Sequence, residues 1–245
     1  MPKDAPRTGP NDDMKVIAVM ARKGGSGKTT LVRALMSAIA KAGKSCLALD
    51  ADPQRALIGW AERVKLDNER AVVEQLNQPS DLQTAIDFAW TGGKTDYIIV
   101  DTQGAGGQWA DDLAVHVDHI VCPVMLTETD FAKTMDTFNW YQRLRERAVD
   151  PDALPTFVCV VSRVPRRASK AMMAVAEKCA RTLPLLPVMF MERGQHADSD
   201  AEDLLHELAD KKRNGPIALE RSHAKHFDEA VEEAADILEA IERPQ

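Results

Sequence analysis

Seven apolar runs punctuate the chain, at residues 15–20, 44–50, 71–76, 96–101, 118–124, 156–162 and 185–190. Several are nearly continuous, such as Tyr97-Ile98-Ile99-Val100 and Thr156-Phe157-Val158-Cys159-Val160-Val161. Runs of that kind suit strands buried on both faces of a parallel sheet. Between them, over 28–42, 54–65, 81–90, 128–148 and 166–182, apolar residues recur at three- and four-residue intervals, the period of a helix. Strands alternating with helices predict an α/β fold: a doubly wound, mostly parallel sheet with helices on both sides. Neither an internal repeat nor an interdomain linker interrupts the alternation, so residues 14–245 read as a single domain. Its last stretch is predicted helical. Phe227, Val231, Ala234, Leu238 and Ile241 share one stripe, and Asp228, Glu229, Glu232, Glu233, Asp236 and Glu239 occupy the opposite face. Such a helix packs on a core. Its acidic face would be repelled by anionic lipid.

Residues 1–13 are polar and proline-rich, and they are expected to form a disordered leader. No window approaches the eighteen or so uninterrupted apolar residues of a membrane span, so a cytoplasmic protein without a membrane partner is expected. With 245 residues and 44% hydrophobic composition, the chain can bury one large core. A net charge of −7 excludes a molecule that attracts DNA with its whole surface. Cys46, Cys122, Cys159 and Cys179 are widely spaced and form no C-x-x-C, which argues for reduced thiols and against a cysteine metal site.

The chemistry is concentrated after the first strand. Lys23-Gly24-Gly25-Ser26-Gly27-Lys28-Thr29-Thr30 has the spacing of a phosphate-binding loop. Glycines let backbone N–H groups turn toward phosphate oxygens, and the helix that follows points its positive end at the anion. Lys28 is the expected cation at the β/γ-phosphates, and the Thr29 hydroxyl suits Mg²⁺. Two further strands deliver carboxylates to the same neighbourhood. Leu49-Asp50-Ala51-Asp52-Pro53-Gln54 ends the second strand and places Asp50 and Asp52 near the metal and the attacking water. The alternative is an acidic turn capping the next helix. Tyr97-Ile98-Ile99-Val100-Asp101 has the form of a buried strand presenting one carboxylate, Asp101, to a magnesium shell. Asp101-Thr102-Gln103-Gly104 then sets a glycine where its N–H can approach a γ-phosphate.

These motifs resemble the deviant phosphate-loop ATPases of the ParA/MinD superfamily, whose signature is Lys-Gly-Gly-x-Gly-Lys-Thr-Thr. The resemblance implies ATP and Mg²⁺ as cofactors, with nucleotide contacts from Lys23 through Thr30 and from Gly104, Arg163 and Pro165. It implies Thr29, Asp50 and Asp101 around the metal. It gives Lys23, Lys28 and Asp52 catalytic roles, Lys23 reaching across a dimer interface and Asp52 positioning the hydrolytic water. Many partition ATPases carry Asp-x-Pro-Pro where this chain has Asp101-Thr102-Gln103-Gly104, a departure from the commonest partition proteins. Met125-Leu126-Thr127 with Asp130, the Arg163-Val164-Pro165 turn and Met191-Glu192-Arg193 are similar to VirC-type ATPases of conjugative and T-DNA transfer systems. Thr127 or Thr129 equally suits a helix cap.

The densest basic cluster, Arg163-Val164-Pro165-Arg166-Arg167-Ala168-Ser169-Lys170, carries four positive charges. Arg163 and Pro165 are candidates to border the adenine. Arg166, Arg167 and Lys170 are candidates for DNA phosphates, or for an ordinary solvated helix start. The resemblance implies a weak, partner-stimulated ATP hydrolase that closes as a homodimer on ATP. It also implies non-specific DNA binding, nucleoid association in the ATP state and an adaptor protein that triggers hydrolysis. Partition of a plasmid or chromosome and VirC-like conjugative transfer both fit. The rival reading is an enzyme or carrier of the same fold, such as an iron–sulfur carrier or an ATP-dependent ligase, or a positioner of protein cargo that does not touch DNA.

Overall fold

The computed structural model describes residues 10–22, 24–103 and 107–243. Among them are seven strands: β1 (Lys15–Val19), β2 (Cys46–Ala51), β3 (Ala71–Gln75), β4 (Tyr97–Thr102), β5 (His119–Val124), β6 (Thr156–Val164) and β7 (Leu185–Met191). They form one parallel sheet in the order β3-β2-β4-β1-β5-β6-β7. All seven predicted strands are present, each within a few residues of its apolar run. The five predicted helices are present too: α1 (Lys28–Lys41), α2 (Ala56–Val64), α3 (Pro79–Gly92), α5 (Glu128–Arg147) and α6 (Lys170–Thr182). So is the C-terminal helix α9 (Ala218–Glu242). Three more were not predicted: α4 (Gln108–Ala114), α7 (Gly194–Ala201) and α8 (Leu205–Arg213). They have seven to nine residues each, too short for a clear apolar period.

Alternation along each strand splits the core into two layers. Ile17 and Val19 of β1 face α1, α2, α8 and α9, whose Leu35, Trp60, Leu208 and Phe227 fill one side. Val16 and Ala18 face α3 to α6, with Leu82, Leu113, Trp140 and Cys179 on the other. Connections leaving β1 and β4 therefore depart to opposite faces, although the two strands are neighbours. Their carboxyl ends bound the crevice where open α/β sheets bind ligands.

Two boundaries differ from expectation. The predicted start of α6 at residue 166 moves to Lys170, because Ser169 caps the helix by accepting the Met172 N–H at 3.2 Å. Residues 166–169 are an exposed turn. Asn11, expected within a disordered leader, is buried, donating its backbone N–H to Trp90 O at 3.1 Å and Nδ2 to Thr95 O at 2.7 Å. Residues 1–9 lie outside the described residues. The four cysteines are free and buried, and the described residues contain no cluster of metal-ligating side chains.

Candidate functional site

The turn from β1 into α1 is built on two glycines with left-handed backbones, Gly25 at φ 80° and Gly27 at φ 91°. Side chains at these positions would be strained. No side chain caps α1, and its first turn holds no acid. By contrast α5 is capped by Thr127, which settles the role left open for that residue. The first N–H groups of α1 are thus left for an anion, with the positive end of the helix dipole behind them. Ser162 of β6 braces the loop by donating to Ser26 O at 2.9 Å. The Ser26 hydroxyl is buried and has no partner among the described residues.

Lys28 is only 8% exposed at this helix start, and Thr29 beside it donates to Asp101 Oδ2 at 2.6 Å. Asp101 ends β4 at 1% exposure. Burial pushes its carboxyl up to about 7; the charges of Asp50 and Asp52 add to this, while the Thr29 hydrogen bond and the Lys28 charge oppose it. Its Oδ1 is buried and has no hydrogen-bond partner among the described residues. A buried carboxylate oxygen without a donor, next to a hydroxyl, is an oxygen set that suits a hard cation such as Mg²⁺. Thr29 and Asp101 are residues that could hold one.

Asp50 is in register with Asp101 across β2 and β4, so it is close by. Its carboxylate, however, turns to the backbone. Oδ1 accepts the Asp52 N–H at 3.0 Å, and Oδ2 accepts Leu57 and Ile58 N–H at 2.9 and 3.0 Å. Its hydrogen bonds are those of a cap on α2, from a position beside Asp101. Asp52 lines the adjoining cavity, with Oδ1 accepting the Gln54 N–H at 2.9 Å. Lys23 and Gly104 lie outside the described residues.

A cavity of about 780 Å³ opens from the loop. Gly24, Gly25, Gly27, Lys28, Thr29 and Thr30 line it beside the loop. Arg163, from the end of β6, and Glu192, after β7, face each other at 3.4 Å on its wall. Arg163 has φ 52°, and its Cγ would lie 3.8 Å from a Cβ at Gly27, so this turn packs directly on the loop. Pro165, expected beside it, is half-buried and not part of that wall. Arg166, Arg167 and Lys170 are exposed and form no ion pair among the described residues.

The far end is walled by residues that sequence reasoning missed. Arg33 of α1 is buried, pairs with Asp200 of α7 and lies 5.4 Å from the Trp60 ring centroid. Its only signal in the sequence is a charge interrupting the apolar face of α1. Phe190 and His196 pack with ring centroids 4.6 Å apart. Burial, with the charges of Arg193 and Arg33, holds the His196 imidazole down at about 4.

Residues 14–244 match the family model described as VirC1 protein. The protein virC1 of Rhizobium rhizogenes is 28% identical over 236 residues, covering 94% of this chain and all of the relative. The maintenance of carboxysome distribution protein A of Gloeobacter kilaueensis is 29% identical over 191 residues, 78% of this chain and 82% of that one. The septum site-determining protein MinD from Pyrococcus horikoshii, solved with Mg-ADP, shares the fold with a TM-score of 0.59 at 16% identity, covering 92% of this chain and 97% of that one.

Proposed function

This chain belongs to the VirC1 family within the ParA/MinD superfamily, and we propose that it is an ATP-driven switch that positions DNA or a DNA-bound complex. The observation that carries the reading is the Thr29–Asp101 hydrogen bond beside an uncapped helix start, in the wall of a cavity large enough for a nucleotide.

In this reading the loop N–H groups and the first turn of α1 hold the phosphates of ATP. Lys28 faces the β/γ-phosphates. Lys23 reaches the nucleotide of a second copy across a homodimer, and Gly104 senses the γ-phosphate. Thr29 and Asp101 hold Mg²⁺, which when bound neutralises charge on the phosphate oxygens. Asp52 orients the attacking water from the cavity wall. Asp50, committed to the start of α2, keeps the Asp52 turn in place, a positioning role. Arg163 borders the base. A relative solved with Mg-ADP supports the choice of cofactor.

Closing two copies around ATP brings two sets of Arg166, Arg167 and Lys170 together on a molecule of net charge −7. That local concentration of exposed cations supports non-specific DNA binding in the dimer only. An adaptor would then stimulate hydrolysis and release the DNA, in partition or in conjugative transfer. The name of one relative, a maintenance of carboxysome distribution protein, supports a positioning role. No helix among the described residues is long and apolar enough to cross a membrane. The test is ATP turnover by purified protein with Mg²⁺, alone and with duplex DNA, alongside sedimentation. A dimer with a non-hydrolysable ATP analogue and a monomer with ADP are expected. One mass in every nucleotide state would overturn the switch.

A further inference from the structure

Part of the cavity wall is formed by the segment that leaves β7: Met191, Glu192 and Arg193 line it, followed by His196. Phe190 and His196 add ring surface to the same wall. With phosphates in the glycine loop, this wall is left for the rest of a nucleotide. One strand hydrogen bond reaches past β7, from Glu192 N–H to Val164 O at 2.8 Å. The chain then turns into α7 at Gly194.

The segment is gripped from α9. Glu233, which helical periodicity puts on the solvated face, accepts the Met191 N–H on Oε1 at 2.8 Å. Its Oε2 accepts both Nε and Nη2 of Arg193, at 3.2 and 2.7 Å. Nη1 of Arg193 lies 3.5 Å from Glu229, one turn earlier on α9. The Arg193 and Glu233 side chains are 19% and 11% exposed. Water competes weakly with a pair so enclosed, and a guanidinium held through two nitrogens has its plane set. One carboxylate therefore fixes both a backbone amide and a charged side chain of the cavity wall. Among the described residues, no hydrogen bond or ion pair joins this carboxylate to the phosphate loop.

We propose that Glu233 is a positioning residue for nucleobase binding: acting from α9, it holds the 191–193 wall in place and so gives the cavity its preference for a purine nucleoside triphosphate over bare polyphosphate. The inference rests on the reading that ATP occupies this cavity. Arg163 links the wall to the loop, with Nη1 3.5 Å from Gly25 O and Nη2 3.4 Å from Glu192, but the clamp itself acts on Met191 and Arg193, so losing it weakens the wall more than the loop. An ion pair that merely stabilised α9 would affect every ligand alike.

Calorimetry with Mg²⁺ and two ligands, ATP and inorganic tripolyphosphate, separates these cases. Charge-assisted hydrogen bonds of this kind predict that Glu233→Ala lowers ATP affinity about tenfold and leaves tripolyphosphate affinity within about twofold. Glu233→Gln keeps an acceptor for the Met191 N–H and recovers part of the loss. It also serves if the alanine variant does not fold. Equal weakening of both ligands, or unchanged ATP affinity in both variants, overturns the inference. Wild-type protein that binds tripolyphosphate but not ATP would overturn the nucleotide reading itself, a result distinguishable from a silent Glu233.

Discussion

Thr29 Oγ1 donates to Asp101 Oδ2 at 2.6 Å, joining two residues 72 positions apart in the chain. The hydroxyl opens α1 and the carboxylate closes β4, and the pair exists because β1 and β4 are neighbours in the sheet. Both groups should act together on Mg²⁺. Thr29→Ala and Asp101→Asn are each expected to weaken ATP binding in Mg²⁺ by about tenfold or more, with little effect in EDTA. Equal losses with and without Mg²⁺ would show that neither group serves a metal.

Lys28 supplies a nearly buried cation at the helix start. Lys28→Ala should lower nucleotide affinity at least about tenfold, since a charge-assisted contact contributes roughly 1.5–3 kcal/mol. Lys23→Ala should abolish the ATP dimer more than it weakens binding, and Asp52→Ala should slow hydrolysis and trap the dimer. Sedimentation combined with a turnover assay distinguishes the three.

DNA binding should require ATP, ignore sequence and weaken steeply with salt, with a log–log slope near −0.9 per phosphate contact. Changing Arg166, Arg167 and Lys170 to Glu should abolish it while ATP binding and dimerisation persist. If wild-type protein with ATP shifts no duplex at low salt, the cargo is a protein complex.

His196 predicts an acid sensitivity. Its folded value of about 4 lies below the ordinary 6.5, so the unfolded chain binds a proton that the folded chain refuses. Stability from the neutral ring is therefore fully present above pH 6.5 and is lost as pH falls through about 4. The integrated effect is on the order of 3 kcal/mol. Arg193 and Arg33 are the charges that oppose protonation, along with burial. Denaturant unfolding at pH 7 and pH 4.5 should show a smaller difference for His196→Gln than for wild type. Equal differences would mean that the ring titrates normally.

Trp60 ties α2 to α7. It is fully buried and donates Nε1 to Ser199 O at 2.9 Å. Trp60→Ala should cost about 3–5 kcal/mol of stability. Trp60→Phe should cost less, about 1–3 kcal/mol, mainly for leaving the Ser199 carbonyl unpaired. Chemical denaturation measures both.

The strands, the longer helices and the glycine loop were legible in the sequence because each is specified by residues close together in the chain. An apolar run of five or six residues states its own burial, and Lys-Gly-Gly-Ser-Gly-Lys-Thr states its own turn. Thr29 and Asp101, which the fold joins by a hydrogen bond, each belong to such a local motif. Other roles depended on partners that only the sheet order brought near. Asp50 has the residue type and position of a metal ligand, yet the backbone of α2 takes its oxygens. Glu233 has the periodicity of a solvated residue, yet it grips Met191 and Arg193 about forty positions away. Arg33, His196 and Asp200 carry no motif at all and meet only where α7 folds over α1. Periodicity determines which side of a helix is apolar. What a polar side chain touches is decided by long-range packing, since its hydrogen bonds go to whichever donor or acceptor the fold leaves within about 3 Å.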